Sequence, residues 1–136
     1  MKKLVTCICV LSFILLSCSK DSEDVVGESS DTIKLSLRKT EFKSGADSVT
    51  ITTEGDGWWI HSVTVDNNIY FADIQQGHLN VNYMFSNGCF DIQRRGGKTL
   101  FVKLKANDSG KNRTVKVKLQ AGNFFDDINI IQKGKD

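Results

Sequence analysis

Leu100-Phe101-Val102-Lys103-Leu104-Lys105 and Val115-Lys116-Val117-Lys118-Leu119-Gln120 decide the fold class. In both, an apolar residue recurs at every second position. A period of two puts those side chains on one face of an extended strand. An amphipathic helix would space them three and four apart. Between the two runs lies Asn107-Asp108-Ser109-Gly110-Lys111-Asn112, which is turn chemistry throughout. Outward from this pair, the alternation returns at Val49-Thr50-Ile51-Thr52, at Ile33-Lys34-Leu35-Ser36-Leu37 and at Ile128-Asn129-Ile130. Across 58–65, Trp58, Ile60, Ser62 and Thr64 share one parity, and Trp59, His61, Val63 and Val65 the other. Phe90-Asp91-Ile92-Gln93-Arg94 reads as a further core strand, and 66–97 holds an extra hairpin. Turns at 44–47, 54–57 and 122–123 each carry a glycine. The pattern predicts an all-β, immunoglobulin-like antiparallel β-sandwich of about 7–9 strands, with a small barrel as the alternative.

The chain has 136 residues, 40% of them hydrophobic and 25% charged, which suits one folded domain. Its formal charge of +2 comes from Lys2 and Lys3. The remainder is balanced, and no arginine-rich run occurs. Nucleic acid is therefore not an expected partner.

The first residues have a separate logic. MKKLVTCICVLSFILLS is a basic start followed by a short apolar core. A membrane-spanning helix needs roughly 20 apolar residues, so the segment 1–17 reads as a secretory signal peptide. Leu15-Leu16-Ser17-Cys18 resembles the bacterial lipobox. That resemblance implies cleavage before Cys18 and lipid on its sulfur and amine, and so a membrane partner. Several acyl chains anchor stably, because each buried methylene adds about 0.8 kcal/mol. The segment 18–31 is then a lipidated acidic tether. Ser19-Lys20-Asp21-Ser22-Glu23-Asp24 is similar to the export signal of Bacteroidetes surface lipoproteins. It implies an outer-membrane location facing the cell exterior. With Cys7 and Cys9 removed and Cys18 lipidated, Cys89 is left as a lone thiol, read as a small core residue beside Phe90.

The order of pieces in the last third is informative. Leu100 to Asn107 is an alternating strand ending in Asn. Arg113-Thr114-Val115-Lys116-Val117 opens with Arg, and Ile128-Asn129-Ile130-Ile131-Gln132 closes with Gln. This order resembles the BACON domain, an immunoglobulin-like module of Bacteroidetes secreted proteins. The resemblance spans 33–133, within a domain taken as 32–136. Two departures stand out: Phe90-Asp91-Ile92 replaces the family's usual core segment, and the loop before it is longer. The resemblance implies a non-catalytic module binding carbohydrate, mucin or polysaccharide. The alternative is a structural or protein-binding accessory module of a cell-surface complex.

Candidate ligand-binding residues are aromatic, because an aromatic face matches the apolar C–H face of a pyranose. On a regular strand Trp58 and Trp59 face opposite ways, so one is core and the other is free to stack; a bulge would bury both. Tyr70, Phe71, Tyr83 and Phe85 fall in the irregular insertion, where loop aromatics form either a binding surface or a second apolar cluster. Lys103, Lys105, Lys116 and Lys118 would form a basic stripe if their two strands pair. That stripe is either a site for acidic glycans or a solvated sheet face. His61 and His78 lack metal-ligand spacing, so no metal or other cofactor is expected. Asp126 and Asp127 are adjacent and would face apart on a strand, which disfavours paired acid–base work. No nucleophile elbow or phosphate loop occurs, so no enzymatic activity is expected. Asp31-Thr32-Ile33 is similar to a Bacteroidetes O-glycosylation motif, with Thr32 as the acceptor.

Overall fold

The computed structural model describes residues 30–73 and 80–136. The expected signal peptide, Cys18, most of the tether, and His78 lie outside the described residues. Nine strands follow in chain order: β1 (Lys39–Phe42), β2 (Asp47–Thr52), β3 (Trp59–Val65), β4 (Asn68–Phe71), β5 (Tyr83–Asn87), β6 (Phe90–Arg95), β7 (Thr99–Leu104), β8 (Arg113–Ala121) and β9 (Phe124–Gln132). They form a five-stranded sheet, β1-β9-β8-β3-β4, and a four-stranded sheet, β2-β7-β6-β5. The sheets pack as a β-sandwich, as the alternation predicts.

The core follows from the period of two. From the larger sheet Val63, Val65, Val115, Val117, Leu119, Ile128 and Ile130 turn inward, and from the smaller Ile51, Phe90, Ile92, Leu100, Val102 and Leu104. Each is nearly or wholly removed from water, and a buried side chain of this size contributes about 1.5–3 kcal/mol.

Three expectations are corrected. The alternation at 33–37 does not make a strand. Asp31 Oδ1 accepts from the amides of Ile33 and Lys34, and Lys34 sits at φ 53°. That left-handed residue bends the chain, so only an isolated Leu35–Thr53 bridge forms. Ile33 and Leu35 are still buried, so the segment works as a strap across the core. The first strand is instead 39–42, which runs parallel to β9 in an otherwise antiparallel molecule.

The second correction concerns the lysines. β7 pairs with β2 and β6, whereas β8 pairs with β3 and β9. The connection after β7 crosses from one sheet to the other. Lys103 therefore lies on the outer face of one sheet and Lys116 and Lys118 on the outer face of the other, and no basic stripe exists. A buried polar network holds this crossover. Asn107 Nδ2 donates to the carbonyls of Lys111 and Lys133, and Gln132 Nε2 donates to those of Gly45 and Lys105. Arg113 Nε donates to Gln132 Oε1 at 3.1 Å.

The third correction is local to β3. The register with β8 shifts between Ile60 and Ser62, which marks a β-bulge at His61. Past the bulge the parity inverts: Ile60, Val63 and Val65 all turn inward.

Candidate ligand-binding face

The bulge turns His61 outward, but both tryptophans precede it. Trp58 is wholly buried, and its indole N–H donates to Thr53 Oγ1 at 2.8 Å and to the Gly55 carbonyl at 3.1 Å. The Arg94 guanidinium lies 4.6 Å from the centre of its ring. Trp59 is only 9% exposed. Neither tryptophan offers a free ring face, so the sugar-stacking expectation for them is not met.

Tyr70, Tyr83 and Phe85 are half-buried and pack on the core. Phe90 links them, with its ring centre 6.0 Å from Tyr70 and 5.3 Å from Phe85, both edge-on. Tyr70 comes from one sheet and Phe85 from the other, so the cluster closes the sandwich between β4 and β5. The Tyr83 hydroxyl accepts from the Ile60 amide at 2.8 Å. Burial raises its pKa above the ordinary 10.0, against the smaller lowering effects of that hydrogen bond and of Arg94. Desolvation lowers the Arg94 value, opposed by Tyr83 and Asp56. These residues are structural: they stitch edge strand β5 to β3.

The exposed aromatics lie elsewhere. Phe71 on β4 is 66% exposed and Phe125 on β9 is 44% exposed. His61, pushed outward by the bulge, stands between them, with ring centres 5.6 Å from Phe71 and 5.4 Å from Phe125, both near-perpendicular. Lys118 Nζ lies 5.8 Å from the Phe125 ring. Three strands thus bring a histidine and two phenylalanines to the outer face of the five-stranded sheet. Ile69, also well exposed, extends the patch along β4.

Along the same face lies a cleft of about 400 Å³, lined by Thr64, Asp66, Thr114, Lys116, Asn129 and Ile131. Asp66 Oδ1 accepts from the Thr114 amide and hydroxyl at 2.9 and 3.3 Å, which fixes the turn after β3 at the cleft's end. Between cleft and aromatics, Asp127 forms ion pairs with Lys118 at 3.7 Å and Lys116 at 4.0 Å. The register places Lys39 opposite Asn129 and Glu41 opposite Ile131 on this face too. Lys39, Lys116 and Lys118 are thus balanced by Glu41, Asp66 and Asp127.

Asp126 lies apart from Asp127. It pairs with Arg38 at 2.7 Å, and Arg38 reaches Asp31 at the same distance. Asp126 also raises the Arg38 value, chiefly by its hydrogen bond and against desolvation. This clasp ties the strap to β9. Thr32 is exposed beside it, on the side of the strap that passes Gly55. Cys89 is half-buried against the core next to Phe90.

Phe125 was open to sequence reasoning: counting back from Ile128 and Ile130 turns it outward. Phe71 follows from the same parity within Ile69-Tyr70-Phe71. His61 carried no signal, because the bulge that exposes it leaves no mark in the alternation.

No family model matches the chain, and a search of curated proteins finds no relative. Solved structures do resemble it. A Bacteroides thetaiotaomicron protein determined by NMR superposes with a TM-score of 0.60 at 20% identity, covering 78% of this chain and 90% of that one. A Bacteroides ovatus GH5 xyloglucanase, in complex with a XXXG heptasaccharide, gives 0.46 at 19% identity over 76% of this chain and 19% of the enzyme. The ectodomain of the teleost fish polymeric Ig receptor gives 0.44 at 15% identity, over 76% of this chain and 50% of that one. The first of these shares the fold.

Proposed function

We propose that this chain is a non-catalytic carbohydrate-binding module of BACON type, carried on the outer membrane by lipid on Cys18 and facing the cell exterior. The observation that carries the reading is the solvent-exposed group of Phe71, His61 and Phe125 on the outer face of the five-stranded sheet. Exposed phenylalanine faces this close together are costly to leave in water. Covering one recovers up to about 1.5–3 kcal/mol. Lys118, Gln120 and Asp127 stand around them as hydrogen-bonding groups, which is the combination of apolar face and polar rim that a sugar ring requires. The anchor rests on Leu15-Leu16-Ser17-Cys18 and on the acidic run behind it.

Affinity electrophoresis of the full chain in detergent, through gels containing mucin or plant polysaccharides, tests this. At least one polymer is expected to retard the wild type. Phe71→Ala is expected to weaken retention about tenfold, equivalent to about 1.4 kcal/mol. Free migration of a folded wild type in every gel would remove the carbohydrate reading.

A second reading has its own support. Strands β4 and β5 are sheet edges, and they carry exposed Ile69, Phe71 and Met84. Edge strands with apolar side chains can accept a strand from another protein. This would make the chain a structural or protein-binding accessory of a surface complex. Photocrosslinking from position 84 in living cells, yielding one discrete adduct, is the result that reading expects.

A further inference from the structure

We infer that the outer face of the five-stranded sheet takes an extended, uncharged oligosaccharide that spans from the Phe71–His61–Phe125 group to the cleft at Asp66 and Asn129. This rests on the carbohydrate reading above and narrows it to a ligand class.

Length comes from the geometry. His61 and Thr64 lie three residues apart on β3, which is about 10 Å at the rise of a strand. A single sugar ring stacked on Phe71 or Phe125 does not reach the cleft, so occupying both regions takes several linked rings. The cleft end is equipped for hydroxyl groups. The Thr64 hydroxyl and the Asn129 carboxamide have no hydrogen-bond partner among the described residues. Asp66 uses one carboxylate oxygen on Thr114 and keeps the other for a donor. Threonine, amide and carboxylate side chains together donate to and accept from sugar hydroxyls. The aromatic end supplies the apolar surface that hydroxyls lack.

Charge argues against an acidic ligand. The lysines that face the ligand path, Lys116 and Lys118, both turn to Asp127. Asp66 sits at the cleft with a free oxygen, where a sulfate or carboxylate would meet like charge. A face built for sulfated or uronic polymers would leave its cations unpaired and would bind with strong salt dependence. This one carries as many carboxylates as ammonium groups.

The test uses the full chain in detergent and affinity electrophoresis at low and high salt. Two gel sets contain neutral polymers (β-glucan, xylan, galactomannan) or acidic ones (chondroitin sulfate, polygalacturonate). Retention by a neutral polymer that survives high salt is expected, with none by the acidic set. Competition should improve at least about tenfold from monosaccharide to tetrasaccharide. Asn129→Ala should remove most of that gain. Asp127→Asn, which frees both lysines, should create salt-sensitive retention by the acidic polymers. Salt-sensitive binding of the wild type to acidic polymers alone would overturn this inference and leave the carbohydrate reading standing. So would equal competition by monosaccharide and tetrasaccharide. Absence of retention in both sets, by a protein with a cooperative thermal transition, would overturn both.

Discussion

Tyr83 joins the two sheets through one oxygen. Its hydroxyl satisfies the amide of Ile60 immediately before the bulge, where regular pairing fails. Tyr83→Phe leaves that N–H without its acceptor, so a loss of about 1–3 kcal/mol is expected in urea denaturation. The same hydroxyl has a pH signature. Its pKa is raised in the folded chain, so above pH 10.0 the unfolded chain loses this proton first. Stability from this group is complete below pH 10.0 and is lost as pH climbs through the raised folded value. Wild type should therefore lose stability more steeply than Tyr83→Phe in alkaline melts. Parallel slopes would show that the hydroxyl is not buried as described. Phe71 is the contrasting case. Being two-thirds exposed, it can be replaced by alanine with a change in melting temperature too small to matter, while ligand retention falls.

At the scale of elements, the strap and the crossover carry the testable weight. An added Cβ at Gly55 would lie 2.0 Å from the Thr32 carbonyl oxygen. Backbone on both sides leaves little room to relax, so Gly55→Ala should cost about 1–3 kcal/mol and loosen the strap. Hydrogen exchange at Gly55 and Ser36, whose amides donate to Ile33 and Thr52, would report it. Gln132→Leu keeps the volume but orphans the carbonyl of Gly45 and takes the Oε1 acceptor from Arg113, at about 1–3 kcal/mol each, while the Lys105 carbonyl keeps its donor in Arg113. These elements also mark how far the sequence could be read. The strands at 99–104 and 113–121 were legible because their inward residues are all aliphatic and regularly spaced. Strand β1 was not, since Lys39-Thr40-Glu41-Phe42 has one apolar residue and gains its ladder only from β9. The alternation at 33–37 predicts a strand where a strap forms, because burial every second residue needs no sheet. The lysine stripe failed for a longer-range reason. Two alternating runs joined by a short turn suggest a hairpin, and only the network around Asn107 and Gln132 reveals a crossing. One of the three outward ring residues was hidden similarly: Phe71 and Phe125 obey parity, but a bulge reverses it at His61.

For the whole molecule, the signal and anchor make a claim separable from the fold. Cys18→Ser should abolish incorporation of labelled palmitate and move the chain out of the detergent-soluble membrane fraction. Because Cys18 lies before the strap, circular dichroism of the variant should match the wild-type β spectrum. Retention of the label in Cys18→Ser would place the lipid elsewhere and undo the lipobox assignment.

The parallel pairing of β1 with β9 acquires a meaning once one end of the chain is held. A pull entering at the N-terminus reaches the Arg38 clasp and then runs lengthwise down β1. Between Lys39 and Phe42 the rungs to β9 lie across that pull, and Lys133 donates to Phe42 at the far end. Drag on the proposed ligand across β4, β3, β8 and β9 would pull the opposite way. The rungs then bear load together in shear and do not peel one at a time. On the proposed anchor and ligand, the small strand that sequence alone overlooks couples mooring to cargo.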